Sequence, residues 1–262
     1  MDEIIDMLNV SWKRQKKTIL SQVDWQVAKG QHWAVLGLNG SGKTTLLNII
    51  NGYIWPSTGE VRVLEKQFGK TDLRELRKSI GWVSSSLQER IKETDITENI
   101  VLSGKYASIG LYEHPTEADF HKASEILKQL GCSNLTGRAY QTCSQGEKQR
   151  ILIARGLMSS PKLLILDEPC NGLDFIARED LLTAINDLAN QEDAPTIIFV
   201  THHIEEILPI FTHTLLLRDG KVFNKGESET VLTSSGLSNF LNKAVQIKWQ
   251  NKRPWMTLLA ES

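Results

Sequence analysis

Residues 37–44 read G-L-N-G-S-G-K-T and match the phosphate-binding loop pattern G-x-x-x-x-G-K-S/T at every fixed position. The four apolar residues before the loop, 33–36, predict a short buried strand, and residues 45–50 after it predict a helix. Strand, loop and helix in this order are the context that the motif requires. We therefore predict an α/β protein that binds a phosphorylated ligand at this loop.

The loop residues suggest how such a ligand is held. Glycines let successive backbone N–H groups converge on one anion, and the following helix adds its positive N-terminal end. Lys43 is expected to reach the β- and γ-phosphates, and Thr44 to offer its hydroxyl to Mg²⁺. The residues predicted to contact the nucleotide here are Gly37, Asn39, Gly40, Ser41, Gly42, Lys43, Thr44 and Thr45.

Composition excludes several classes of protein. The 262 residues are 40% hydrophobic with a net charge of -1, so the chain can bury a core but lacks the charge of a typical nucleic-acid-binding protein. No apolar run approaches the ~18 residues of a membrane-spanning helix, and the acidic residues 1–3 do not resemble a secretory signal. Three cysteines without C-x-x-C spacing suit a reducing cytosol. We expect a cytoplasmic protein that contacts no nucleic acid.

Apolar patterns beyond the loop predict two kinds of sheet. Residues 22–27 alternate between polar and apolar side chains, which indicates an antiparallel strand with one wet face, and residues 8–12 are predicted as its partner. Residues 163–166 and 197–200 are continuous apolar runs, typical of central parallel strands, and residues 180–190 between them predict a helix. Strand, helix and strand in this rhythm indicate βαβ units.

A further helix is predicted over residues 116–130. Its apolar residues recur at spacings of three and four and define one buried face. They are Phe120, Ala123, Ile126, Leu127 and Leu130.

Two acidic residues end the 163–166 strand. Because ligands of open parallel sheets sit at the carboxyl ends of strands, Asp167 and Glu168 are expected near the phosphates. Asp167 would hold Mg²⁺ directly or through water, and Glu168 would polarise the water that attacks the γ-phosphate. A merely solvated acidic strand end is the alternative, which the phosphate loop disfavours.

Residues 144–147, S-Q-G-E, predict the start of another helix. Ser144 and Glu147 have the spacing of a capping box, in which each side chain accepts a hydrogen bond from the other residue's backbone. Capping boxes occur in most folds, so this pattern alone indicates no function.

Taken together, these residues resemble the ATP-binding cassette (ABC) ATPases, in particular the nucleotide-binding subunit of a transporter. Residues 143–147, C-S-Q-G-E, stand where that family has its L-S-G-G-Q signature. Residues 171–174, N-G-L-D, resemble its D-loop, and His202 after Thr201 resembles its switch histidine. The resemblance covers about residues 8–222, with every element in the expected order.

The resemblance implies an architecture. It is a RecA-like P-loop NTPase core with an antiparallel β edge subdomain and an inserted α-helical subdomain at about residues 84–160. The ABC ATPase domain is predicted over residues 1–235, and residues 236–262 form a C-terminal extension. Alternation within residues 245–259 predicts a terminal hairpin. It either packs on its own domain, which we favour, or offers a docking site.

The resemblance also implies a mechanism with ATP and Mg²⁺. A homodimer would enclose ATP between the phosphate loop of one subunit and Ser144, Gln145 and Gly146 of the other. Asp174 would pass between the subunits, and His202, which we favour over His203, would hold the attacking water. The expected partner is an integral membrane permease, more readily of an importer than an exporter, with this chain peripheral on the cytoplasmic face. An ABC ATPase that acts without a permease is the alternative.

Three positions depart from the family pattern. Where the family has a metal-binding glutamine, counting places Ser85, and Gln88 is the other candidate for that role. Where it stacks an aromatic ring on adenine, counting places Arg14, which either stacks through its guanidinium plane or stays solvated. Cys143 replaces the signature leucine, and as a small apolar residue it can simply pack.

Overall fold

The computed structural model describes residues 3–259, which divide into two compact units. Within this range, one unit comprises residues 3–73 and 196–259, and the other comprises Arg74–Pro195. Residues 1–2 of the predicted 1–235 domain and residues 260–262 of the predicted extension lie outside the described residues. The predicted boundaries at 84, 160 and 235 stay predictions.

The first unit contains strands in three groups. The elements, in chain order, are β1 (Glu3–Arg14), β2 (Lys17–Ala28), β3 (Trp33–Leu36), α1 (Lys43–Ile50), β4 (Thr58–Val63), β5 (Lys66–Gln67), β8 (Thr196–Thr201), β9 (His213–Arg218), β10 (Lys221–Glu227), α8 (Ser228–Val231), α9 (Ser234–Leu241), β11 (Val245–Gln250) and β12 (Arg253–Leu258).

The second unit is mainly helical and carries two strands. The elements are α2 (Leu73–Lys78), β6 (Ile80–Val83), α3 (Ser85–Gln88), α4 (Thr97–Ser103), α5 (Glu117–Gln129), α6 (Gln145–Leu157), β7 (Leu163–Asp167) and α7 (Phe175–Ala189). The strands β6 and β7 pair in parallel, with Val83 opposite Leu166.

The antiparallel sheet of the first unit has the order β2-β1-β4-β5. The predicted alternation in β2 is confirmed, since Val23, Trp25 and Val27 are fully buried while the polar residues between them are exposed. Its partner strand β1 is longer than predicted. Bulges in the β1–β2 register let β1 continue past Asn9, whose backbone N–H donates to Asp24 Oδ1 at 2.7 Å.

The strand that leads into the phosphate loop is paired in parallel on both sides, and the predicted parallel strand at 197–200 is one of its neighbours. Strand β3 lies between β9 and β8 and pairs in parallel with both, so that Leu36 is opposite Leu216 on one side and Thr201 on the other. All four residues of β3 and all six of β8 are buried. The carboxyl ends of these strands therefore lie at one edge of the sheet, where α/β folds bind ligands.

Helix α5 confirms the predicted helix but corrects one of its core residues. Ala123, Ile126, Leu127 and Leu130 are buried, whereas Phe120 is 48% exposed. The inward side of the first turn is instead taken by the buried Asp119, which pairs with Lys105 (Nζ–Oδ2 distance 2.7 Å). Among the helices formed by residues 3–259, none combines the length and the apolar composition needed to cross a bilayer.

The Asp119 carboxylate predicts a pH-dependent stability. The hydrogen bond from Lys105 and the backbone N–H of Thr116 lower its pKa to about 2. A lowered pKa stabilises the fold above the ordinary value of about 4, and this stabilisation is lost as pH falls from there towards the lowered pKa. Asp119→Asn should therefore lower the thermal midpoint at pH 7, with a difference that shrinks below about pH 4.

The matched control is Glu125→Gln on the same helix, because Glu125 is largely exposed and pairs only loosely with His121 at 3.5 Å. Thermal melts of the three proteins from pH 7 to pH 3 make the comparison. Equal midpoints for wild type and Asp119→Asn at pH 7 would contradict the assigned role.

Candidate nucleotide-binding and catalytic site

The phosphate loop folds into a cradle around its lysine. Helix α1 begins at Lys43 after Gly42, whose φ of 105° is left-handed and which, as a glycine, offers the first turn no capping side chain. Lys43 is buried, and its Nζ donates to the carbonyl oxygens of Gly37 at 2.7 Å and Leu38 at 3.4 Å. The ammonium group thus lies across the loop, where it can meet phosphate oxygens.

Two loop glycines are required by close contacts. A Cβ on Gly37 would lie 2.5 Å from Ser41 Oγ and 2.8 Å from the Leu217 carbonyl oxygen, and a Cβ on Gly42 would lie 2.8 Å from Leu20 Cδ2. On Gly40, by contrast, an added Cβ would meet nothing within 4 Å. The loop is therefore packed tightly against its neighbours at Gly37 and Gly42, and it has open space beside Gly40.

Ser41 shows that this cradle fits an anion. Within the described part of the chain, its buried hydroxyl has no hydrogen-bond partner. A buried hydroxyl without a partner is costly, so such groups in native proteins usually await a water or a ligand. A phosphate oxygen above the loop would supply the missing acceptor, and the residues present fit a nucleotide.

Gly220 holds the loop in place, which the sequence reasoning missed. Its N–H donates to the Ser41 carbonyl at 2.9 Å, and its carbonyl accepts from the Ser21 N–H at 2.8 Å. A Cβ on Gly220 would lie 2.0 Å from the Ile19 carbonyl oxygen, so no side chain fits there. The Asp-Gly dipeptide at 219–220 is a turn signal, but its contact with the loop is visible only in the fold.

His202 follows a strand end paired with that of the loop. Because Thr201 is opposite Leu36, the residues after them, His202 and Gly37, leave the same edge of the sheet. His202 is exposed, and its ring lies 4.1 Å from that of His203. The segment that carries His202 and the phosphate loop thus start at the same edge of the sheet, and the switch role of His202 stays a prediction.

A buried carboxylate shapes the turn that carries His202. Thr201 Oγ1 donates to Glu206 Oε2 at 2.5 Å and accepts from the His203 N–H at 3.0 Å. Glu206 is only 3% exposed. The sequence reasoning missed Glu206, although an acidic residue four positions after the histidine was visible, because nothing local showed that it is buried.

Asp167 and Glu168 lie in the second unit, at the end of β7, as predicted. Both side chains are partly exposed. The Glu168 backbone has φ of 51°, and its carbonyl accepts from the Asn171 N–H at 3.1 Å. A left-handed conformation is uncommon for glutamate and is often found at functional sites, where surrounding contacts maintain it.

The signature segment of the second unit forms a capped helix end. Ser144 Oγ accepts from the Glu147 N–H at 3.3 Å, and Glu147 Oε2 accepts from the Ser144 N–H at 2.7 Å, so the predicted capping box is confirmed. Gly146 is buried close to α7, since its added Cβ would lie 3.3 Å from Ala177 Cβ. Asp174 caps α7 by accepting from the Ala177 N–H at 2.9 Å.

The three residues that depart from the family pattern are either exposed or packed in the interior. Arg14 is exposed at the end of β1. Ser85 is exposed at the start of α3, where Ser84 is the cap and accepts from the Leu87 N–H at 3.3 Å. Cys143 is buried, so packing accounts for it. The adenine and metal roles suggested for Arg14 and Ser85 stay predictions.

Gln88 is bound to the signature helix. Its Nε2 donates to Gln145 Oε1 at 3.2 Å, and its Oε1 accepts from Gln145 Nε2 at 3.3 Å and from Gln149 Nε2 at 3.1 Å. Its carboxamide thus uses both its donor and its acceptor on α6. Metal binding by Gln88 stays a prediction, and the bonds to Gln145 are a finding that the sequence did not suggest.

The fold and the loop define a P-loop ATPase, and comparison with known proteins gives its family. The chain belongs to the ABC transporter family, whose model matches residues 20–171. It is therefore the ATP-binding subunit of this class and hydrolyses ATP.

Individual relatives agree with this assignment. The ABC transporter ATP-binding protein YlmA of Bacillus subtilis (strain 168) is 51% identical over 97% of each chain. The molybdate import ATP-binding protein MolC of Haemophilus influenzae is 31% identical over 91% of this chain and 88% of its own. Among solved structures, the dimeric bacterial ABC transporter cassette MJ0796 aligns with a TM-score of 0.72 at 26% identity, covering 85% of this chain and 98% of that chain.

The side-chain hydrogen bonds of Gln88 predict that this residue stabilises the fold. Gln88→Ala should lower the free energy of unfolding by about 1–3 kcal/mol, because it leaves the buried Gln149 amide without this partner. Urea denaturation measures the change, and Glu89→Ala, at the adjacent exposed position, is the control. An equal decrease in the free energy of unfolding for the two variants would show that the Gln88 hydrogen bonds contribute nothing.

Proposed function

We propose that this chain powers a membrane importer by hydrolysing ATP between two of its own copies. The observation that carries the proposal is the cradle of residues 37–44, in which Lys43 lies across the loop and the Ser41 hydroxyl is buried without an acceptor among the described residues. Such a loop binds the phosphates of a nucleotide.

Each site residue is proposed for the role that its motif implies. Lys43 binds the β- and γ-phosphates, and the N-terminal end of α1 adds its positive field. Mg²⁺, when bound, neutralises the negative charge of the phosphates, and the side chains that would hold it are Thr44 and Asp167. Glu168 accepts a proton from the attacking water, and His202 orients that water through its imidazole.

The dimer is inferred from the exposed start of α6. Ser144 and Gln145 are exposed at the N-terminus of this 13-residue helix, whose field favours an anion. A phosphate held by the loop of a second copy would bind at this helix end. The cassette MJ0796 is dimeric, which supports the same arrangement here.

Import is inferred from a relative. The MolC relative is named for molybdate import, and it matches over nine-tenths of this chain. We therefore propose an integral membrane permease as partner and a peripheral position on the cytoplasmic face. Ser85 favours one rival, an ABC ATPase without a permease, because a serine stands where the family's partner-sensing glutamine is expected.

The catalytic base is tested by Glu168→Gln. Loss of a general base slows turnover by about 10²–10⁴-fold, while the amide still permits nucleotide binding. The variant should therefore form a stable dimer with MgATP in size-exclusion chromatography. Glu192→Gln, at an exposed position, should leave turnover unchanged. Undiminished turnover in Glu168→Gln, or a variant that stays monomeric with saturating MgATP, would refute this mechanism.

The permease is tested by affinity purification from detergent-solubilised membranes. An importer subunit should recover a stoichiometric integral membrane protein, and this complex should survive Lys43→Ala, which removes nucleotide binding but no partner contact. Recovery of this chain alone from both membranes and cytosol would favour the rival that acts without a permease.

A further inference from the structure

The terminal hairpin of β11 and β12 lies outside residues 20–171, which match the family model. Its strands are antiparallel, with Gln250 opposite Arg253 next to the turn. The predicted hairpin is thus confirmed. It makes contacts with two other elements of the first unit.

One contact fastens the hairpin to helix α9. The Val245 N–H donates to Ser238 Oγ at 3.0 Å, and the Ile247 N–H donates to Ser234 Oγ at 2.9 Å. The last turn of α9 is held in turn by Arg218, whose Nη1 donates to the carbonyls of Asn239 at 2.8 Å and Phe240 at 3.0 Å. Because Arg218 ends β9, the hairpin is fixed to a strand that neighbours the phosphate-loop strand.

The other contact reaches the segment after the switch histidine. Arg253, the first residue of β12, donates from its Nε to the carbonyl oxygen of Glu205. Glu205 lies in the short 3₁₀ turn of residues 204–206, which follows His202 and His203 directly. The Arg253 guanidinium also lies 5.4 Å from the ring centre of Trp255, which limits its orientations.

The turn is therefore held from two sides. The buried Glu206 carboxylate binds Thr201 ahead of His202, and Arg253 binds the Glu205 carbonyl behind it. A hydrogen bond from a charged donor is stronger than a neutral one, and the guanidinium of arginine is planar and rigid. A hydrogen bond thus holds the chain on each side of His202, through the Thr201 side chain on one side and the Glu205 carbonyl on the other.

We propose that Arg253 is a positioning residue that fixes the His202 segment for ATP hydrolysis. It touches no nucleotide and acts through the backbone of residues 204–206. The terminal hairpin then belongs to the catalytic apparatus rather than being an appended surface. This inference rests on the proposed role of His202 and extends it to a residue outside the motifs.

The test compares Arg253→Ala with Lys252→Ala in the full chain. Lys252 is the adjacent exposed residue of the hairpin turn, so its loss removes the same charge without the Glu205 contact. Arg253→Ala should lower kcat for ATP about three- to tenfold with little change in KM, because the phosphate loop is untouched. Lys252→Ala should match wild type in both constants.

Amide hydrogen exchange gives a second readout that needs no activity. Peptides covering residues 202–207 should exchange faster in Arg253→Ala, while those covering residues 37–44 should not change. Arg253→Lys keeps the aliphatic stem and the charge but loses the Nε donor, so it should fold like wild type and give a smaller version of both effects.

The outcomes separate this inference from the proposed function. A wild-type protein that fails to hydrolyse MgATP would refute the proposed function, and hydrogen exchange would still report on the Arg253 contact. Active wild type with unchanged kcat in Arg253→Ala, or unchanged exchange at residues 202–207, would overturn the positioning role. An equal rise in exchange throughout the first unit would also overturn it, since that pattern means general destabilisation.

Discussion

The parallel pairing of β3 with β8 and β9 is the constraint on which the first unit's site depends. Leu36 is opposite both Thr201 and Leu216. Strands β3 and β8 end at this level, and β9 continues two residues further to Arg218. The phosphate loop, the His202 segment and the 219–220 turn therefore all begin at the same edge of the sheet. A shift of register by one residue would turn every side chain of β3 to the other face and separate these segments. The burial of all residues in β3 and β8 makes such a shift costly.

Local patterns account for what the sequence could predict. The phosphate loop, the strand before it and the Ser144 capping box each depend on residues within one short window of sequence, and each has the predicted form. The alternation in β2 likewise reports burial of one face. Contacts between distant residues escaped prediction, because no short window contains both partners. Ser41 with Gly220 and Gln88 with Gln145 are of this kind.

The error at Phe120 has the same origin. Spacing alone places Phe120 on the apolar face of α5, but a helix face is buried only where another element covers it. Here the first turn of α5 instead presents Asp119 to Lys105, which lies in the 104–106 turn. The two residues are 14 positions apart, and only the fold brings them together. Functional residues were easier to predict when they belonged to a motif than when they supported one, as Glu206 shows.

Gly220 links the nucleotide cradle to the antiparallel sheet through backbone alone. Its N–H holds the loop at the Ser41 carbonyl, and its own carbonyl holds the Ser21 N–H on β2. The two bonds are joined through the Cα of a single residue, which is packed so closely that an added Cβ would lie 2.0 Å from the Ile19 carbonyl oxygen. A displacement of the loop at Ser41 would therefore act on β2 through these two hydrogen bonds. The antiparallel sheet would in this way respond mechanically to whether the cradle is occupied.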